Sequence, residues 1–358
     1  MKALFSPSQV EQELRMLQRE LSPSEARASL FNLVIFSREG LANPSEKALA
    51  HILGKRAARI IQIQSTRATE STMSVTARCF PDRENRGVCF QEIMIQNGHD
   101  NAGVAPGTWA PLLIRDIPVY VLWYDKLLSN REYLAQIRDQ VDKIVFDSRW
   151  NESTGESPEA ICAVIAQDLV DKGFLVSDLA WKRGLALRRI TATLFDSDEG
   201  VAKLSKITSL ELTSESESEA HLYALWLASR LEWHWAGRSA RNGGTTWQAV
   251  DRQGSQITAH FEQCEGSGDD NVDGETTVRM VTGGGEEILV NGTPGGCADT
   301  VVPGQEGQRH LFLSPSTGQM LLEEVDSLRS DYLYSDAVLL SAPDVKHRSP
   351  ARDDADIL

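Results

Sequence analysis

The sequence lacks a long apolar segment. No apolar run in it approaches the roughly 20 residues that a helix needs to cross a bilayer. Its first residues, MKALFSPSQVEQELRM, also lack the apolar core of a secretory signal. Both absences predict a cytoplasmic protein that does not act in a membrane.

The chain is also poor in positive charge. It carries 36 Lys and Arg residues against 51 Asp and Glu residues, so its formal net charge is -15 at pH 7. Such a charge repels the phosphate backbone of nucleic acids unless a local basic face compensates for it. We therefore expect no nucleic-acid partner.

The motifs of several enzyme classes are missing. A dinucleotide-binding domain needs G-x-G-x-x-G directly after its first strand, but here LFNLVIF is followed by SREGLANPSEKA, in which Gly40 stands alone. The sequence also has no G-x-x-x-x-G-K-[ST] phosphate loop, no H-E-x-x-H and no G-x-S-x-G elbow. These absences predict a protein without a bound cofactor and without catalytic activity.

The cysteines lack the spacing of a metal site or of a disulfide framework. There are five of them, an odd number that fits reduced thiols in the cytosol. Cys79 and Cys89 belong to two predicted strands joined by PDRENRG, so their thiols could face each other as a redox pair; alternatively, each is a small buried hydrophobic residue. His260 and Cys264 resemble metal ligands, but a site would need two more, and we expect no metal.

What the sequence does contain is an alternation of apolar strands and helices. Leu30–Ser37 is a continuous apolar run, typical of a buried strand with both faces covered, and RIIQIQS, IPVYVLWYD and KIVF follow it between helical patterns. A hairpin at Ser74–Gln96 interrupts this order and should lie toward a sheet edge. The segment DLAWKRGLALRRITATLFD is predicted to be helical despite Gly184. This alternation predicts an N-terminal Rossmann-like α/β domain with a mostly parallel sheet and helices on both faces.

The pattern changes from Ile207 onward. One strand, ITSLELT, and one long helix, SEAHLYALWLASRLEWHW, precede a series of β-like runs that ends with YLYSDAVLLSA. This order predicts a C-terminal α+β domain with an antiparallel sheet. The predicted boundaries are residues 1–200 for the α/β domain, 201–342 for the α+β domain and 343–358 for a disordered tail.

Polar and aromatic residues stand at the ends of two neighbouring predicted strands. In a parallel α/β sheet, the carboxyl ends of the strands border the crevice in which ligands bind. Such residues either anchor a partner protein or serve as helix caps and core edges. The candidate partner-binding residues are Trp123, Tyr124, Asp125, Asp147, Ser148, Arg149 and Trp150.

Several of these segments together resemble one family, the glucose-6-phosphate dehydrogenase assembly proteins, OpcA. The matching segments run in family order from about residue 26 to residue 235, and the remainder from Gly243 resembles the family only loosely. The segments are RASLFNLVIF, VCFQEIMI, PLLIRDIPVYVLWY, KIVFDSRW, DLAWKRGLALRRITATLFD, ITSLELT and ALWLASRLEW. The resemblance implies a non-catalytic effector that assists the assembly or activation of glucose-6-phosphate dehydrogenase in the oxidative pentose phosphate pathway.

Two other functions stay open at this point. One is a sugar-phosphate or nucleotide sensor that uses the strand-end crevice, which would require basic residues converging beside Asp147–Trp150. The other is a hydrolase of the same pathway, which would require a carboxylate or histidine pair within hydrogen-bonding reach in a cleft. An assembly factor instead needs an exposed surface for its partner.

Overall fold

The structure is a computed structural model, and it describes residues 6–21, 29–41, 49, 51–52, 55–81, 87–98, 104–241, 244–264, 276–293 and 296–342. The strands in this part are β1 Phe31–Arg38, β2 Ala58–Ser65, β3 Thr72–Pro81, β4 Gly87–Asn97, β5 Val119–Tyr124, β6 Lys143–Phe146, β7 Leu175–Asp178, β8 Ile207–Ser214, β9 His234–Arg241, β10 Gly244–Val250, β11 Gln256–Gln263, β12 Thr276–Thr282, β13 Glu287–Thr293, β14 Cys297–Val301 and β15 Gln308–Leu311. The helices are α1 Pro7–Leu21, α2 Pro106–Trp109, α3 Arg131–Ile137, α4 Ser148–Ser153, α5 Pro158–Ile165, α6 Leu179–Arg183, α7 Leu185–Thr193, α8 Asp198–Leu204, α9 Glu217–Leu231, α10 Thr317–Val325 and α11 Tyr332–Leu339.

The chain forms two compact units that alternate along the sequence. The first unit consists of Met1–Glu156, Phe174–Leu179 and Ser316–Arg329, and the second of Ser157–Gly173, Ala180–Pro315 and Ser330–Leu358. The second unit includes residues on both sides of residue 200, where we expected a domain boundary. That boundary stays a prediction. The expected tail, 343–358, lies outside the described residues.

The first unit contains a seven-stranded sheet in the order β3-β4-β2-β1-β5-β6-β7. All neighbouring strands are parallel except β3 and β4, which form the predicted hairpin and place β3 at the edge. The apolar runs that predicted covered strands are indeed buried, since every residue of β5 and seven of the eight residues of β1 are buried. The mostly parallel first sheet is confirmed.

The core of the first unit includes side chains from a distant part of the chain. Phe31, Leu33 and Leu122 of the sheet belong to one buried cluster with Met320 and Leu321 of α10. The segment that contains α10 had no predicted structure. It nevertheless begins with a capping box, in which the Ser316 side chain accepts a bond from the backbone of Gln319.

A buried ion pair fixes α10 to this sheet. Lys143, the first residue of β6, and Glu324 of α10 are 1% and 3% exposed, and 2.5 Å separates Nζ from Oε2. Nζ also donates to the carbonyl oxygens of Glu324 and Ser327, at 3.3 and 3.0 Å. The Ser177 hydroxyl donates to the same carboxylate oxygen. Both charges are therefore paired and hydrogen-bonded, which is the condition under which burial of charge is tolerated.

The second unit contains an eight-stranded sheet in the order β15-β14-β13-β12-β8-β11-β10-β9. Its neighbours are antiparallel except β8 and β11, which are parallel. The expected mostly antiparallel second sheet is confirmed. Its strands alternate between buried and more accessible residues, as β13 shows most plainly, and this is typical of a sheet with one covered face.

Helix α9 of the second unit carries a buried histidine among tryptophans. The His221 ring is 1% exposed and lies 5.0 Å from the ring of Trp247 and 6.3 Å from that of Trp235, measured between centroids. Neither ring nitrogen of His221 has a hydrogen-bond partner among the described residues. Burial, together with the positive charge of Arg238, lowers the pKa of His221 to about 3.

Two predictions about local structure were wrong. YLYSDAVLLSA is not β-like, because Tyr332–Leu339 forms α11, whose N-cap Asp331 accepts a bond from the backbone of Tyr334. The predicted helix that ended at Trp235 stops at Leu231, since Glu232 adopts a left-handed conformation with φ 56° and β9 follows. Strand β7 was not predicted, and it ends at Asp178, the first residue of the segment that was predicted to be helical.

None of the described helices is both long enough and apolar enough to cross a bilayer.

Candidate functional site

The crevice expected from the sequence lies in the first unit, at the carboxyl ends of β1 and β5. Strand β1 is flanked by β2 on one side and by β5 on the other, and the later strands β6 and β7 continue beyond β5. Strands that follow β1 in the sequence therefore lie on both sides of it, and the order of the strands in the sheet reverses between β1 and β5. In open α/β sheets, this switch point is where ligands bind.

An ion pair spans this switch point. Arg38 is the last residue of β1 and Asp125 directly follows β5, and the guanidinium binds the carboxylate through two bonds, Nε to Oδ1 at 2.8 Å and Nη2 to Oδ2 at 3.1 Å. Asp125 is 4% exposed, and its Oδ1 also accepts the backbone N–H of Lys126 at 2.7 Å. The bidentate geometry is the strong form of an arginine–carboxylate contact. The two strand ends are thus joined by the chain's own charges.

The turn after β1 differs from that of a dinucleotide-binding domain. Gly40 has a φ of 84°, a left-handed conformation that favours glycine. The Glu39 carboxylate accepts the backbone N–H of Arg67 at 2.8 Å. The turn therefore carries a carboxylate, which repels a phosphate group. The residues that follow, 42–48, lie outside the described part of the chain.

The aromatic candidates at the strand ends are buried. Trp123 packs against Phe36, with 4.9 Å between the ring centroids, and it is 1% exposed. Tyr124 lies edge-on to Trp150 at 5.5 Å. The structure therefore brings Tyr124 and Trp150 together, from the ends of β5 and β6, as parts of the core edge.

The polar candidates at the end of β6 lie around the start of α4. Asp147 is the N-cap residue of this helix, and the Ser148 backbone donates to Asp178 at 3.0 Å. Asp147 and Ser148 are buried, whereas Arg149 is half-buried. Arg149 is thus the most exposed of the seven candidates. Their role in binding a partner stays a prediction.

Two polar residues of this site escaped the sequence analysis. Asn151, which is fully buried, donates from Nδ2 to the backbone oxygen of Asp125 at 3.2 Å and to Glu156 at 2.8 Å. The Glu156 carboxylate also accepts the backbone N–H groups of Leu127 and Leu128, at 2.8 and 2.7 Å. This network joins the loop after β5 to α4. Asn151 follows the candidate run directly, so its position in the sequence was the available signal.

The predicted redox pair lies on the hairpin at the sheet edge. Cys79 and Cys89 are directly opposite each other in the antiparallel register of β3 and β4. Their side chains lie outside the described part of the structure, so the redox role stays a prediction. Cys162 is buried, and Cys264 and Cys297 are half-buried.

The possible metal ligands do not converge within the described residues. His260 instead shares a hydrogen bond with Thr246, at 3.0 Å between Nδ1 and Oγ1. The described residues contain no group of three or more His, Cys, Asp or Glu side chains that could hold a metal ion.

Replacing Arg38 with methionine is expected to lower the free energy of unfolding by about 1.5–3 kcal/mol, because Asp125 would keep its buried charge and lose two charge-assisted hydrogen bonds. The measurement is urea denaturation at pH 7. Arg38→Lys keeps the charge but loses the two-bond geometry, so a smaller loss is expected. If both variants are as stable as the wild type, the ion pair does not stabilise the crevice.

Comparison with known proteins gives two matching family models. One describes the N-terminal domain of a glucose-6-phosphate dehydrogenase subunit and matches residues 50–164. The other describes the C-terminal domain of a glucose-6-phosphate dehydrogenase subunit and matches residues 175–338. The second match extends well past Gly243, where the resemblance from sequence motifs was loose.

Similar curated proteins include two from cyanobacteria. The chain is 29% identical over 154 residues to the putative OxPP cycle protein OpcA of Synechocystis sp. (strain ATCC 27184 / PCC 6803 / Kazusa), an alignment that covers 42% of this chain and 31% of that protein. It is 32% identical over 151 residues to the protein of the same name from Synechococcus elongatus (strain ATCC 33912 / PCC 7942 / FACHB-805), covering 41% and 32%. The chain thus aligns with about a third of the length of each relative.

Similar solved structures include oxidoreductases. KijD10, a 3-ketoreductase from Actinomadura kijaniata, is 10% identical with a TM-score of 0.48, and the match covers 87% of this chain and 95% of that chain. Biliverdin reductase from Synechocystis sp. PCC 6803 is 9% identical with a TM-score of 0.44, covering 88% and 97%. Similarity at this level carries no argument about activity.

Proposed function

Since the chain belongs to the glucose-6-phosphate dehydrogenase assembly protein family, OpcA, we propose that it binds glucose-6-phosphate dehydrogenase as a non-catalytic assembly factor and allosteric activator in the oxidative pentose phosphate pathway. The observation that carries this proposal is the match of the chain to both domain models. The Arg38–Asp125 ion pair supports the non-catalytic part, because it spans the crevice in which α/β enzymes hold their ligands. The proposal places both proteins in the cytoplasm.

Activation of this kind requires a difference in binding free energy. The protein must bind the active, assembled form of the dehydrogenase more tightly than the less active form. A difference of about 1–3 kcal/mol, typical of allosteric effectors, changes an equilibrium by roughly 5- to 150-fold. No covalent step by this chain is needed.

The proposed contact surface is the region above the carboxyl ends of β5 and β6. Arginine is enriched among the residues that dominate protein interfaces, and Arg149 is half-buried at this position. The buried neighbours Ser148 and Trp150 fix the backbone from which Arg149 projects. In this arrangement Trp123, Tyr124, Asp125 and Asp147 support the surface from below.

Mixing the protein with the dehydrogenase of its own organism is expected to give a stable complex and a lower KM for glucose 6-phosphate. Arg149→Glu is expected to weaken the complex about tenfold or more, which corresponds to about 1.4 kcal/mol, because it reverses the charge at the proposed contact. Complex formation is measured by isothermal titration calorimetry, and KM is measured from initial rates on the same mixtures.

Arg138→Glu is the matched control. Arg138 also lies in the first unit, its side chain is 38% exposed, and its nearest carboxylate, Asp139, is 3.9 Å away. The same charge change at Arg138 is expected to leave the complex intact. No complex with the wild-type protein, under both reducing and oxidising conditions, would overturn the proposed function. Equal effects of the two substitutions would show that Arg149 does not belong to the contact surface.

A further inference from the structure

A cavity of about 60 Å³ lies within the second unit, beside the segment WKRGLALRR. Its lining residues include Arg183, Arg188, Glu219, Tyr223 and Thr276. Positive charge therefore exceeds negative charge in this wall, although the formal net charge of the chain is -15. The lining of the cavity thus has a net positive charge, whereas the whole chain has a net negative charge.

The position of Arg188 in this wall is fixed by its neighbours. Arg188 is 5% exposed, and its guanidinium carbon lies 3.5 Å from the centre of the Trp181 ring, a close cation–π contact. Gly184 leaves room for it, since a β-carbon there would lie 2.9 Å from Nη1 of Arg188. Gly184 has an ordinary helical φ of -70°, so this approach accounts for glycine at the position.

The other polar groups of the cavity are compatible with an anion. Arg183 forms an ion pair with Glu219 within the lining, with 3.4 Å between Nη1 and Oε1, so the excess positive charge of the lining corresponds to one arginine. Burial raises the pKa of Tyr223, so its phenol stays neutral and adds no negative charge. The Tyr223 hydroxyl is 2.7 Å from that of Thr191, which holds the ring in place.

We propose that this cavity binds the phosphate group of a small phosphorylated metabolite between Arg183 and Arg188. A guanidinium fork matches phosphate oxygens through paired, charge-assisted hydrogen bonds. The volume is several times the roughly 10–15 Å³ that one water needs, so it accommodates a tetrahedral group of five heavy atoms better than a single water. The rest of the metabolite lies outside the cavity. This site lies within the second unit, and it does not depend on the proposed complex.

Inorganic phosphate is the probe for this site, added to the intact protein at constant ionic strength with chloride as the balancing anion. Isothermal titration calorimetry is expected to show saturable binding of one phosphate. Arg183→Gln is expected to weaken it about tenfold or more, through the loss of charge-assisted hydrogen bonds. Gly184→Ala, which pushes the Arg188 guanidinium aside, is expected to weaken it as well.

The matched control is Arg189→Gln, because Arg189 is the next residue after Arg188 but is exposed and does not line the cavity. Phosphate binding is expected to survive this substitution unchanged. The proposal is overturned if the wild type does not bind phosphate, or if Arg183→Gln and Arg189→Gln affect binding equally. Acetate that binds as tightly as phosphate would overturn the assignment to phosphate, since a carboxylate would then suffice.

Discussion

Replacing Glu324 with alanine is expected to lower the free energy of unfolding by about 3–5 kcal/mol, because it leaves the Lys143 ammonium buried without a counter-charge. Lys143 is 1% exposed, and its remaining hydrogen-bond acceptors are the backbone oxygens of residues 324 and 327. The same substitution opens space beside α10. Urea denaturation at pH 7, followed by tryptophan fluorescence, measures the loss.

Two controls separate the buried charge from other effects. The double variant Lys143→Met with Glu324→Leu removes both charges, and it is expected to recover most of the stability. Arg56 and Asp326 form an ion pair in the same unit, and Asp326 directly follows α10. Their side chains, however, are 38% and 40% exposed. Asp326→Ala is therefore expected to cost less than about 1 kcal/mol. Equal losses from Glu324→Ala and Asp326→Ala would contradict the role of burial.

Lowering the pH from 7 to 5 is expected to remove about 2 kcal/mol of stability through His221 alone. The pKa of His221 is lowered to about 3 in the folded protein from 6.5, first by burial and then by Arg238. The unfolded chain therefore binds more protons than the folded one between these two pKa values. The contribution of His221 to the free energy of unfolding is therefore fully present above pH 6.5, and it declines as the pH falls below that value.

The charged groups near His221 do not offset this effect. Arg238 on β9 is positive throughout the range, and its carboxylate partners are Glu217 at 2.8 Å and Glu159 at 3.5 Å. His221→Phe is expected to be about 2 kcal/mol less sensitive to the change from pH 7 to pH 5 than the wild type. His234→Gln, at an exposed position, is the control and is expected to keep the wild-type dependence. Identical pH profiles for the wild type and His221→Phe would contradict the prediction.

The strongest sequence signals predicted the first sheet well. Continuous apolar runs such as β1 and β5 are long enough to indicate strands covered on both faces, and the structure has them in parallel pairs. Strand β7 has only four residues and lies next to helical patterns, so its length gave no independent signal. Helix α11 contains aromatic and β-branched residues, which favour strands in isolation. Its N-cap and packing decide otherwise.

The sequence placed the candidate residues at strand ends but did not indicate their partners, and their role in binding stays a prediction. The strand-end rule placed Asp125 and Asp147 at the carboxyl ends of β5 and β6, where the structure has them. The pairing of Arg38 with Asp125 links residues 87 positions apart. It depends on the register of β1 against β5, in which Ser37 is opposite Tyr124. A register of this kind is fixed by tertiary packing, so the sequence pattern indicated polar residues at these ends without their partners.

The alternation of the two units along the chain also sets an order of events during synthesis. Lys143 and Glu324 are 181 residues apart, and Glu324 belongs to the last segment that completes the first unit. At about 5–20 residues per second, a ribosome needs roughly 10–40 s to make the chain between them. Until Glu324 has been synthesised, the Lys143 ammonium lacks the carboxylate that pairs with it in the folded protein, so the first unit acquires its final core only after Ser316–Arg329 has been translated.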